Sequence, residues 1–480
     1  MAQLSTIFAK EYTTRLRTVM AKIKKAWFCT NCGAESPKWM GKCPACGEWN
    51  TMVEEIVTKE PQKAYSVKQR GLLDNSQSIP QPLTNIQSTD ESRLVLSLGE
   101  LDRVLGGGMV KGSMVLIAGE PGIGKSTLSL QIPLANHSLR TLYVSGEESA
   151  RQIKLRADRI GVAHENCIVY PETLLENILN HASDILPHVI IIDSIQTIYS
   201  QNIDSSAGSV SQVRECAASL LRFAKDTNIP VILIGHITKD GTIAGPKVLE
   251  HIVDVVLQFE GDTRHSYRIL RSIKNRFGST AELAVYQMTG HGLEEILNPS
   301  ELFIPMHGDN LSGIAVAAML DGGRPFLIEI QALVSSAAYG TPQRSATGFD
   351  VRRLNMLLAV LEKRAGFKLA QKDVFLNIAG GLKVSDPACD LAIVTAILSS
   401  NFDVNISGRT AFAGEIGLSG EVRPVGQIEK RIAEAEKLGF NKIFVSAFNN
   451  PGKLDDNAKE RTIEVIKIQT IAGLVRYLFK

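Results

Sequence analysis

Met114-Val-Leu-Ile-Ala-Gly119-Glu120-Pro121-Gly122-Ile123-Gly124-Lys125-Ser126-Thr127-Leu-Ser-Leu-Gln-Ile132 is the stretch on which the fold turns. Its first five residues are apolar and read as a buried strand, while STLSLQI reads as the start of a helix. Between them, Gly119 to Thr127 fits G-x-x-x-x-G-K-[ST], in the strand-then-helix setting that a phosphate-binding loop requires. Glycines let main-chain N–H groups close around phosphate oxygens at a helix N-terminus whose dipole favours anions. Gly119, Glu120, Pro121, Gly122, Ile123, Gly124, Lys125, Ser126 and Thr127 are therefore the candidate ATP cradle. Lys125 would reach the β- and γ-phosphates, and the Ser126 hydroxyl would ligate Mg²⁺. Pro133 lacks the N–H that a helix interior needs and is expected to kink or end that helix.

Outward from the loop, short apolar runs alternate with amphipathic stretches. Expected strands are Met114–Gly119, Thr141–Gly146, Val189–Asp193, Val231–His236, Val253–Phe259 and Tyr267–Ile273. Continuous apolar strands alternating with helices predict a mostly parallel sheet covered on both faces. The strand Val189–Asp193 ends in a carboxylate, so Asp193 stands where it would hold Mg²⁺ through water. The strand Thr141–Gly146 runs into Glu147 and Glu148. We read Glu147 as the base that deprotonates water and Glu148 as a helix N-terminal acid suited to the dipole.

The whole chain has 480 residues, which calls for roughly three domains. Residues 1–26 read as an N-terminal extension, 27–50 as a zinc-binding module and 51–92 as a polar linker. Residues 93–290 form the expected ATPase domain, and 298–480 a second α/β domain. Lys10, Arg15 and Arg17 give the extension a transit-peptide look, whereas an upstream extension with Met20 as the natural first residue is the blander reading. Apolar residues make up 44% and charged residues 21%, with a net charge of +2, so any nucleic-acid surface must be local. No apolar run reaches the length of a membrane span and no secretory signal is present, so we expect a cytoplasmic protein without a membrane partner.

Four of the seven cysteines lie together, as Cys29-x-x-Cys32 and Cys43-x-x-Cys46. Each pair is followed by a glycine, Gly33 or Gly47, which permits the turn that aims both sulfurs at one ion. Four thiolates with no open position predict structural Zn²⁺. Contact with DNA and contact with a partner are both open for this unit. Cys167, Cys216 and Cys389 sit in apolar surroundings and are expected as buried free thiols.

ELDRVLGGGMVKGSMVLIAGEPGIGKST, YVSGEES, VIIIDSIQT and IKNRFG together resemble the bacterial RadA (Sms) family, from about Ala21 to the C-terminus. The resemblance implies a RecA-like P-loop ATPase, assembled as a homo-hexameric ring, that processes recombination intermediates on single-stranded or branched DNA beside a recombinase. It also implies that Lys274 and Arg276, two residues apart and so on one face of a strand, reach a neighbouring subunit's nucleotide. His236 falls where this class keeps a γ-phosphate sensor. Segments 201–212 and 238–247, with Lys239 and Lys247, would face DNA.

Residues 377–390 and 413–430 resemble the proteolytic domain of Lon. Alignment on Pro387 puts Ala388 at the serine nucleophile's position. Alignment on Pro424 and Gly426 puts Glu429 at the lysine's position. Ser385, Cys389 and Lys430 are out of register. The expected domain is therefore Lon-protease-like and inactive, with Arg344, Arg352, Arg353, Lys363 and Arg364 as candidate DNA-facing charge. An ATP-dependent protease and a clock-like signalling ATPase are the competing functional readings.

Overall fold

The computed structural model describes residues 24–29, 33–57, 82, 93–236, 248–261, 267–304, 311–337, 341–449 and 461–479. The chain divides into two units. One comprises Met1–Glu260, Leu270–Thr280 and Met288–Glu294; the other comprises Gly261–Ile269, Ala281–Gln287 and Glu295–Lys480.

In the first unit, a small antiparallel sheet carries the cysteines: β1 (Lys24–Cys29), β2 (Glu35–Ser36) and β3 (Met52–Val57), in the order β2-β1-β3. Cys29 pairs with Met52 and Trp27 with Glu54. The sheet thus reaches beyond the expected 27–50 on both sides, because the alternation in MVEEIV is short enough to pass for linker. Trp39 and Trp49 stay exposed on this module, with the Lys42 ammonium 5.7 Å from the Trp49 ring centroid.

The next elements are α1 (Gly99–Leu105), β4 (Met114–Gly119), α2 (Lys125–Ala135), β5 (Thr141–Ser145), α3 (Ala150–Ile160), β6 (Cys167–Pro171), α4 (Leu175–Ile185), β7 (Val189–Asp193), α5 (Val210–Thr227), β8 (Val231–His236), α6 (Val248–Ile252), β9 (Val255–Glu260), β10 (Tyr267–Asn275), β11 (Leu283–Thr289) and β12 (Gly292–Glu295). The sheet order is β12-β11-β10-β9-β4-β8-β7-β5-β6. The pairs β4·β8, β4·β9, β7·β8, β5·β7 and β5·β6 are all parallel. Ile190, Ile191 and Ile192 are wholly buried, as a strand covered on both faces must be. The six expected strands are present to within two residues at each end. Strand β6 escaped the sequence reading because its side chains are only half-buried and the run ends in Pro171. Pro133 lies in the last turn of α2, which ends two residues later; its carbonyl accepts a hydrogen bond from His164 Nε2 at 2.7 Å.

The second unit centres on a seven-stranded sheet. Its strands are β13 (Ile314–Asp321), β14 (Arg324–Ser336), β15 (Arg344–Thr347), β16 (Lys372–Ile378), β17 (Thr410–Ala413), β20 (Lys442–Ser446) and β21 (Glu464–Ile468), in the order β15-β16-β14-β13-β17-β20-β21. A separate ribbon pairs β18 (Glu415–Ile416) with β19 (Val422–Arg423). The helices are α7 (Pro299–Phe303), α8 (Val351–Ala365), α9 (Asp390–Phe402), α10 (Ile428–Lys437) and α11 (Ile471–Leu478). Every residue of α9 from Asp390 to Ser399 is buried, so this helix is the core of the unit rather than its surface. No described helix is long and apolar enough to cross a membrane.

Candidate nucleotide site and metal centre

The phosphate loop is built where the sequence places it. β4 ends in Gly119, and α2 begins at Lys125 behind Gly124, whose φ of 118° is open to glycine and strained for other residues. The Lys125 ammonium is buried and donates to the carbonyls of Gly119 and Glu120, each at 2.9 Å. Burial pushes it down to about 8, against the opposing pull of the Asp193 and Glu147 carboxylates. Ser126 and Thr127 follow in the first turn, half-buried.

Parallel register brings the acids to the same edge, since Ser145 on β5 pairs with Asp193 on β7. Asp193 is buried and accepts a hydrogen bond from the Tyr143 hydroxyl through Oδ2, at 2.7 Å. Burial first, then the facing Asp193 carboxylate, keeps that phenol protonated far above its ordinary range. Glu147 lies just beyond β5; its Oε1 accepts from the Ser194 hydroxyl at 2.6 Å and lies 3.4 Å from His236 Nε2. Glu148 turns the other way: it pairs with Arg156 on α3, and its N–H donates to Ser145 Oγ. The helix start itself is closed by a capping box between Ser149 and Gln152. Gly146 is needed just before the two acids, because a Cβ there would meet Thr197 Oγ1 at 2.1 Å. Lys125, Asp193, Glu147 and His236 therefore converge, joined by Tyr143 and Ser194, which sequence reasoning missed. Their partners lie 50 and 47 positions away, beyond any local pattern.

Lys274 and Arg276 stand elsewhere. Lys274 Nζ donates to the carbonyls of Glu250 and Val253 at 2.6 and 2.7 Å, at the C-terminal end of α6 where carbonyls lack helical donors. Burial lowers the Lys274 pKa, with repulsion from Arg276 adding to it. Arg276 reaches Asp254 Oδ1 at 3.3 Å, while Asp254 Oδ2 accepts from Met114 N. Met114 opens β4 and the phosphate loop follows its other end, so Asp254 and its partner Arg276 stand at the end of that strand opposite the loop. Within a subunit the pair rests on residues 250–254. Residues 238–247, including Lys239 and Lys247, lie outside the described residues. Segment 201–212 carries no basic residue, and Gln212 holds it folded: the amide bonds Ser200 through both main-chain groups and the carbonyls of Ile203 and Ser205.

In the cysteine module, Cys29, Cys43 and Cys46 place their sulfurs within 4.8 Å of one another, and Cys32 lies outside the described residues. Cys29 Sγ and Cys46 Sγ are 3.7 Å apart, close to the roughly 3.8 Å that thiolates about 2.3 Å from one tetrahedral zinc would show. Gly33 N and Gly47 N donate back to Cys29 O and Cys43 O, closing both knuckles, with φ values of 69° and 76°. The donor set fits zinc. Among the remaining thiols, Cys216 and Cys389 are buried and Cys167 is half-buried, all free; burial lifts Cys216 to about 12.

In the second unit, Ala388 is wholly buried and begins α9's approach. Asp386 caps it, accepting from Ala388 N through Oδ1 at 3.0 Å. Asp386 Oδ2 accepts from Leu320 N and from Arg431 Nη1, at 2.7 and 2.6 Å. Arg431 is buried and also donates to Ala318 O and Gly426 O. Sequence reading passed over Arg431, whose only local signal is a charge on the apolar stripe of α10. It likewise treated Arg353 as surface charge, and this needs correction. Arg353 pairs with the fully buried Asp390 and lies 3.7 Å from Glu415, so its guanidinium is structural. Arg344 donates to Asn355 Oδ1, Arg364 contacts the Leu418 carbonyl, and Arg352 and Lys363 are exposed.

Three family models match the chain: a rubredoxin metal binding domain at residues 27–54, an AAA domain at 80–242, and subunit ChlI of Mg-chelatase at 340–449. Curated relatives match almost end to end. The DNA repair protein RadA of Bacillus subtilis (strain 168) is 49% identical over 462 residues, covering 95% of this chain and 99% of that protein. Its namesake in Aquifex aeolicus (strain VF5) is 50% identical over 428 residues, covering 89% and 94% respectively. That of Listeria monocytogenes serovar 1/2a (strain ATCC BAA-679 / EGD-e) is 48% identical over 464 residues, covering 95% and 99%. With a zinc ribbon, a RecA-like core and a Lon-like domain in that order, the chain belongs to the DNA repair protein RadA family.

Proposed function

We propose that this protein is a DNA-dependent ATPase of homologous recombination and repair, a motor that extends or migrates branched intermediates. The observation that carries the reading is the convergence of Lys125, Asp193 and Glu147 at the C-terminal edge of one parallel sheet. The loop amides and Lys125 would hold the phosphates, while Ser126 and Asp193 would hold magnesium, which when bound would offset phosphate charge. Glu147 takes the proton of the attacking water, steadied by the Ser194 hydroxyl, and His236 stands beside it to register the γ-phosphate.

Lys274 and Arg276 gather at the end of β4 opposite their own subunit's loop, which supports action on a neighbour's nucleotide within a hexameric ring. DNA, met through segments 201–212 and 238–247, and a recombinase in the cytoplasm complete the reading. Proteolysis is disfavoured by the sealed Ala388 and by the Asp386–Arg431 pair beside it.

The test is ATP turnover with and without single-stranded DNA for the wild type, Lys125→Ala and Arg276→Ala. We expect DNA to stimulate the wild type and both variants to be inactive alone. Mixing them should restore part of the activity, because one mixed interface keeps both halves. Full activity of Arg276→Ala would remove the trans role. Turnover indifferent to DNA would favour a clock-like ATPase, and peptide cleavage a protease.

A further inference from the structure

Tyr143 is the largest fully buried side chain that touches the acidic edge of the site. It sits in the middle of β5, opposite Ile191 in the register that puts Ser145 opposite Asp193. Its ring is packed on all sides, so its two side-chain torsions are fixed and the hydroxyl has one place to point. That place is Asp193 Oδ2, at 2.7 Å. An O–H group donating to a carboxylate is among the stronger and more directional hydrogen bonds available to a side chain. Among the described residues, the Tyr143 hydroxyl hydrogen-bonds one oxygen of the carboxylate, Oδ2, while the Lys125 ammonium acts on Asp193 only electrostatically.

We infer that Tyr143 is a positioning residue for the magnesium-side carboxylate. It touches neither nucleotide nor metal. Held from behind, Asp193 keeps its rotamer and presents Oδ1 to the metal's hydration shell. Without the phenol, the carboxylate loses the one hydrogen bond that fixes its orientation among the described residues. Groups that orient a metal ligand from one bond away typically change metal affinity by about 10- to 100-fold. The inference rests on Asp193 acting toward magnesium, as proposed above.

Tyr143→Phe removes one oxygen and leaves the ring, so packing is nearly conserved. The decisive readout is binding of a fluorescent ATP analogue at rising Mg²⁺, compared with binding in excess chelator. We expect the Mg²⁺ concentration for half-maximal tightening to rise about tenfold, with affinity in chelator within twofold of wild type. In an Asp193→Asn background the same change should shift the midpoint by less than twofold, because Tyr143 acts through that carboxylate. A purely structural tyrosine would lower the melting temperature and leave the midpoint in place, and that result would overturn the inference. If Tyr143→Phe does not fold, 3-fluorotyrosine at position 143 of the otherwise native chain supplies the second measurement. Its ¹⁹F resonance should move as Mg²⁺ saturates the nucleotide complex; a stationary line sinks the proposal. Wild-type binding indifferent to Mg²⁺ would instead remove the magnesium role of Asp193 itself.

Discussion

The two units each bury charge beside the start of a helix, and they use it in opposite ways. In the first, Lys125 faces Asp193 and Glu147 across a loop, and the carboxylates keep oxygens that no described residue engages. In the second, Asp386, Arg431, Asp390 and Arg353 close on one another and on main-chain groups. Charge that is satisfied internally holds a fold together. Charge left partly unmet, at the mouth of a loop, is available to a ligand: the ammonium to phosphate, the carboxylates to a cation or to water.

Four measurements break or sharpen this contrast. The largest effect should come from Arg431→Ala, which strands the Asp386 carboxylate in the interior. Urea unfolding should show the second unit destabilised by about 3–5 kcal/mol, and removing Asp386 as well should return part of that loss. Next is Glu147→Gln, for which we expect ATP turnover to fall roughly 100-fold while nucleotide affinity stays within about threefold. A loss of binding instead would make Glu147 a ligand for the nucleotide rather than a base.

Lys125 carries a pH signature. In the proposed role it would bind phosphate as an ammonium, and its pKa of about 8 lies below the ordinary lysine range. Affinity for ATP should therefore be flat below about pH 8 and weaken by up to tenfold per unit above it. A lysine in water would keep the curve flat to roughly pH 10. The smallest effect concerns the cysteine module. All three tryptophans of the chain, Trp27, Trp39 and Trp49, belong to it, so intrinsic tryptophan fluorescence reports on nothing else. Cys43→Ser, or a zinc-selective chelator in the presence of excess Mg²⁺, should shift that emission, while DNA-free ATP turnover changes by less than about twofold.

Much of the first unit was legible, because a strand that ends in a chemical group announces it locally. Gly119, Glu147, Asp193 and His236 all terminate or follow apolar runs whose period alone gives the parallel sheet. What stayed hidden was the set of groups acting across the fold. Tyr143 looks like any β-strand aromatic until β7 is laid beside β5. Arg431 and Arg353 look like solvated helix charge until their buried partners, 45 and 37 positions away, are in place. For Lys274 and Arg276, nothing in KNRFG shows that they rest on residues 250–254 of the same chain.

Ala388 has a consequence for anyone hoping to convert this scaffold into a peptidase. The pair of changes Ala388→Ser and Glu429→Lys would restore the letters of a serine–lysine dyad. The new hydroxyl would nonetheless stand where no solvent arrives, and its main-chain N–H would stay tied to Asp386. The guanidinium of Arg431 would still occupy the neighbouring oxygens. A working hydrolase would require excavation of that corner, not reversion of two codons.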